Sequence, residues 1–159
     1  MWRRRAPSLG ALAGWLTLVG AVGLLGSLFL TWSHQLGRGV LSVAGGSTVL
    51  RGVPRDPTAW QVYSVTDVLL ALLALALIAV ALSGGRRARS GMLVAAAVAL
   101  AFTLHALSVP PSNGVVLINP VAGGPAYLPR APSAGIGETI ALVSLAIAGV
   151  GLGLSFLQD

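Results

Sequence analysis

The sequence predicts a mainly α-helical integral membrane protein, with four spanning helices arranged as two tandem hairpins beneath a small extracytoplasmic β-hairpin or sheet cap. Three observations lead there. The 159 residues are 55% hydrophobic and 9% charged, with a mean hydropathy of +0.87, whereas soluble domains carry about 25% charged residues. So few charges cannot clothe a water-exposed surface of this size. The apolar residues gather into four runs, at about 9–31, 65–82, 91–107 and 136–157. Finally, residues 1–83 and 84–159 follow the same order of basic segment, apolar run, polar loop and apolar run.

The first run gives a helix of roughly 34 Å at 1.5 Å per residue, enough for the ~30 Å hydrocarbon core. The third is the shortest and spans if its ends snorkel or the bilayer thins locally. The amino terminus has the basic start of a signal peptide. Its apolar run is too long for an ordinary h-region and lacks a small-x-small cleavage site, so it reads as a retained first helix.

All ten basic residues are arginines. Arg3–Arg5 and Arg86, Arg87 and Arg89 form clusters beside apolar runs, the pattern of cytoplasmic topology signals. Such clusters favour anionic lipid over nucleic acid as their partner. Both termini and the Ser83–Ser90 turn are then cytoplasmic, and the outer loops are about 32–64 and 108–135. The absence of cysteine excludes disulfide and thiolate chemistry, and with it four-helix thiol oxidoreductases.

The repeat recurs in detail. Phe29, Thr31 and His34 are answered by Phe102, Thr103 and His105. Val43–Gly46 is answered by Val121–Gly124, Pro54–Pro57 by Pro129–Pro132, and Asp67 by Glu138. Two hairpins crossing in the same sense imply a pseudo-two-fold axis along the membrane normal, a parallel rather than an inverted repeat.

In the first outer loop, Trp32, Trp60 and Tyr63 suit an interfacial aromatic belt. Residues 39–53 read as a β-hairpin, with Val40, Leu41 and Val43 on one arm, Thr48, Val49 and Leu50 on the other, and Gly45-Gly46 at the turn. Val115–Ile118 is a further strand. The second helix has two start signals. One is Asp56-Pro57, as N-cap and first-turn proline. The other is Ser64-Val65-Thr66-Asp67, as a capping box. Pro132-Ser133 marks the start of the fourth.

His34, Asp67, His105 and Glu138 form a candidate polar cluster near the outer boundary. Ionisable groups at membrane depth are functional candidates, and imidazole with carboxylate can ligate a metal. No His-x₃-His spacing supports a metal, and a haem held by His34 and His105 has no other sign in the chain. In the structural reading, Asp67 and Glu138 sit in first helical turns favoured by the helix dipole. They pair there with Arg51, Arg55 or Arg130 as loop anchors. Gly10-x₃-Gly14 and Gly149-x₃-Gly153 permit close helix approach, within the bundle or between copies. No Walker loop, GxSxG elbow or HExxH pair is present, and no cofactor is indicated.

Residues 27–32 and 58–73 carry a resemblance. They are similar to small uncharacterised four-span proteins of actinobacteria, which read "LFLPWY" at the end of the first helix and "AWxxFSxxDVLLALLAL" into the second. Thr31 and Ser33 stand where that pattern prefers Pro and Tyr. The resemblance implies a bacterial plasma-membrane protein and carries no activity. The layout is also similar to claudin-type proteins by topology only, since their paired cysteines are absent.

The expected function is that of a non-enzymatic membrane protein, a structural, assembly or interaction subunit. Its partners would be the bilayer and either a second copy or another membrane protein. A small ion- or proton-coupled transporter or channel component using Asp67 and Glu138 is the alternative, and a metal- or haem-binding membrane protein a weaker one.

Overall fold

A computed structural model describes residues 8–34, 49–50, 53–54, 56–63, 65–109 and 132–157. Four of its helices are long and apolar enough to cross a membrane. In chain order these are α1 (Leu9–Ser27), α3 (Val65–Ser83), α4 (Arg86–Ser108) and α5 (Ile136–Phe156). A single turn, α2 (Ala59–Val62), precedes α3. The four long helices form a ring in which α1 packs on α5, α5 on α4, α4 on α3 and α3 on α1. The α1–α5 seam is the most extensive and the α3–α4 seam the least. Outside the ring, Trp15, Val19, Leu72, Val98 and Val150 are exposed, the inverse of a soluble surface and the expected face toward lipid.

Helix α1 ends four residues before the expected boundary. Ser27 turns its hydroxyl back onto Leu24 O at 2.6 Å, and the amides of Leu28, Phe29 and Leu30 bond three residues back rather than four. This tightened turn frees Thr31 to bridge Thr58 and lets the Trp32 amide reach Pro57 O at 2.9 Å. Tertiary bonds thus override an apolar run that by itself continues the helix.

Helix α4 begins earlier than expected. Arg86, Arg87 and Arg89 lie on its first turn, after a Gly84-Gly85 link, instead of in a loop. Arginine is a good helix former, so the topology signal is also helical sequence. Helices α3 and α5 match their expected spans to within a residue.

Asp56-Pro57 does not cap α3. It lies before α2, where Thr58 is the N-cap and its amide donates to Gln61 Oε1 at 3.0 Å. Two small antiparallel pairs lie at this end. β1 (Ser33–His34) pairs with β4 (Ser133–Ala134), with Ser33 opposite Ala134. β2 (Val49–Leu50) pairs with β3 (Val53–Pro54), with Val49 opposite Pro54. On the second arm of the expected hairpin, Val49-Leu50 pairs forward with Val53-Pro54. The other expected arm, Val40–Val43, and the strand Val115–Ile118 lie outside the described residues.

The close approach of α1 to α5 runs through Gly20, Gly23 and Gly151. A side chain at Gly20 would strike Ser144 and Ala148, and one at Gly151 would strike Thr17 and Ala13. Three of the glycines singled out by spacing, Gly14, Gly149 and Gly153, do not make this seam. Gly149 and Gly153 have nothing within 4 Å of a Cβ position, and Gly14 meets only Ala81 O at 3.7 Å.

Candidate functional site

At the strap end of the bundle, β1–β4 ties the end of α1 to the start of α5. Gly135 N–H donates to Trp32 O at 2.8 Å and Gly137 N–H to Thr31 O at 2.7 Å. Trp32 is fully buried beneath this strap, and its indole N–H donates to Ser27 O at 2.7 Å. The expectation that Trp32 belongs to an interfacial belt is therefore corrected: with its polar edge satisfied internally, the ring is core. Trp60 remains exposed, against Phe29 with ring centroids 6.0 Å apart. Tyr63 is half-buried, edge-on to Trp32 at 5.9 Å and to Phe102 at 5.6 Å.

Asp67 and Glu138 lie within this aromatic setting. Each is the third residue of its helix, α3 or α5. The buried positions that follow keep the same register, Leu70, Ala74 and Leu77 after Asp67, and Ala141, Leu145 and Ala148 after Glu138. Both carboxyl side chains are 0% exposed. None of their four oxygens has a hydrogen-bond partner among the described residues. Ser64, the other member of the expected capping box, lies outside the described residues.

Other buried hydroxyls along the bundle are satisfied. The buried hydroxyls of Thr17, Thr103 and Ser155 donate to carbonyls three or four residues back at 2.6–2.9 Å. Among the described residues, the two carboxyls are the buried side chains left without a partner.

The helix dipole does not compensate for this. A negative group in a first turn gains ~0.3–1 kcal/mol, and up to about 2 kcal/mol when partly buried. Removing an ion from water costs several kcal/mol even after relaxation. Two such groups in one bundle end call for a positive partner or a proton.

Tyr63 registers both carboxyls. Its phenol is pushed up to about 12, first by burial and then by the charges of Glu138 and Asp67. A phenolate beside two carboxylates in an apolar setting is the least favoured form.

The histidines do not join this site. His34 Nδ1 is 2.6 Å from Asp56 Oδ1 in an exposed pair on the strap, and His105 is exposed on the last turn of α4. Sequence spacing gave no hint of Asp56 as the partner, because the pairing depends on where β1 meets the segment before α2. No group of three His, Cys, Asp or Glu residues able to hold a metal occurs among the described residues. The proposed anchors Arg51, Arg55 and Arg130 lie outside them, as does the Val121–Gly124 repeat segment. Tyr63 and Trp32 are the additions that sequence did not assign to this site; the signal was an aromatic on each side of the first outer loop.

No family model matches the chain, and no match was found among curated proteins or solved structures.

Proposed function

We propose that the chain is a multi-pass protein of a bacterial plasma membrane, with both termini cytoplasmic, acting as a non-enzymatic structural, assembly or interaction subunit. One observation carries this reading. Gly149 and Gly153 leave the outer side of α5 bare, beside a shallow apolar groove shared with α4 and lined by Leu93, Ala97, Leu100 and Val150. Bare glycine faces let another helix approach closely in lipid. The arginines at the start of α4 support the orientation. The matching buried registers of α3 and α5 support descent from one duplicated hairpin.

The cysteine-free sequence makes the test direct. A single Gly149→Cys variant in native membranes should form a disulfide-linked species, while a Leu72→Cys control on the opposite helix should not. A monomeric, unlinked Gly149→Cys protein would count against the reading.

A second reading, a small proton- or ion-coupled carrier or channel component, is favoured by the unpartnered Asp67 and Glu138. It requires flux across proteoliposome membranes that Asp67→Asn and Glu138→Gln abolish in folded protein.

A further inference from the structure

We propose that Asp67 and Glu138 are two proton-binding groups at the strap end of the bundle, each carboxyl holding one proton in the folded protein. The inference concerns binding, not flux, and stands whether the chain is a passive subunit or a carrier.

Three observations converge. Both side chains are withdrawn from solvent, 0% exposed. None of the four carboxyl oxygens makes a hydrogen bond of full geometry among the described residues; the Tyr63 backbone amide is the donor that comes near Asp67, and no described cation neutralises either group. Among the described residues no third ligand completes a metal site there. A proton is the one cation that needs neither a cavity nor a coordination shell.

The titratable surroundings leave this assignment standing. From the segment before α3, Tyr63 is the group that senses both carboxyls, and a neutral phenol can donate or accept without adding charge. On the strap, His34 is engaged with Asp56 and exposed. On α4, His105 is exposed, and Arg86, Arg87 and Arg89 lie at the opposite end of the helix. Helices α1 and α5 present no other titratable side chain among the described residues.

The composition makes the site unusually readable. The chain has four acidic residues, Asp56, Asp67, Glu138 and Asp159, so Glu138 is its one glutamate. Infrared spectra of the full chain in lipid nanodiscs at neutral pH should show carboxylic-acid C=O stretches. Carboxyl-¹³C glutamate should move only the Glu138 stretch, and carboxyl-¹³C aspartate the Asp67 stretch, with no variant needed. Asp67→Asn and Glu138→Gln should each remove one stretch and leave the melting temperature equal or higher, since a neutral amide replaces a neutral acid. Spectra showing only carboxylate bands at neutral pH would overturn the proposal, whichever cation then proved to be the partner. So would a loss of stability in both amide variants together with absent acid stretches. Failure of the Gly149→Cys cross-link would leave this site untouched, so the two proposals fail separately.

Discussion

Trp32 fills the space that any side chain on Gly137 would need. A Cβ at residue 137 would fall against the indole Cδ1 and Nε1 atoms. The first turn of α5 can therefore lie against a buried tryptophan only because it is bare there. Gly137→Ala should destabilise by about 1–3 kcal/mol, the usual cost of overpacking. Gly149→Ala, with open space around it, should be neutral or stabilising by up to ~1 kcal/mol through helix propensity. Thermal melts of both variants in one detergent would check the contrast.

The indole itself should be costly to remove. Trp32→Phe keeps most of the ring but removes the indole donor from Ser27 O, which keeps only the Leu30 amide, an expected loss of about 0.5–1.5 kcal/mol. Trp32→Ala should lose about 3–5 kcal/mol. Denaturant titration followed by helical circular dichroism would separate them.

Tyr63 should ionise late. In a Tyr127→Phe background it is the only tyrosine, and its phenolate absorbance should appear with a midpoint near pH 12. The unfolded phenol ionises near its ordinary value of 10.0. Above that pH the unfolded chain holds fewer protons than the folded one, so stability falls as pH rises from about 10 to 12. Below pH 10 the contribution is fully present. A midpoint at 10 with unchanged melting would remove Tyr63 from the carboxyl site.

The loop arginines should matter less than a salt-bridge reading implies. If the carboxyls hold protons, Arg51→Gln, Arg55→Gln and Arg130→Gln should each change stability by less than about 0.5 kcal/mol. Breaking a buried ion pair would instead cost ~3–5 kcal/mol. The melting temperatures of the three variants decide between these.

Much of the bundle was legible in the sequence because length and apolar composition alone define a spanning helix. The ends of α3 and α5 were sharp, where Gly84-Gly85 and Gly135 interrupt the runs. The end of α1 was not, because Leu28, Phe29 and Leu30 look helical and only the seating of Trp32 breaks them. Which glycines form the α1–α5 seam was also hidden. Lipid makes every face of these helices apolar, so no amphipathic stripe marks the inward side. Asp67 and Glu138 were visible as a repeated pair at the right depth. Their burial without partners among the described residues was not, since the sequence offered arginines within reach of both.

The strap carries a consequence for synthesis. Residues Ser33-His34 bind Ser133-Ala134, and α1 finds its largest packing surface on α5. The first helix to leave the ribosome must therefore wait for the last before its main interface can form. Such separation in sequence slows assembly and prolongs exposure of unfinished surfaces. Until α5 arrives, the glycine face of α1 is open to any small-faced helix nearby. Truncation before residue 133 should leave α1 inserted and held by α3 alone, its glycine face uncovered, a natural substrate for membrane quality control.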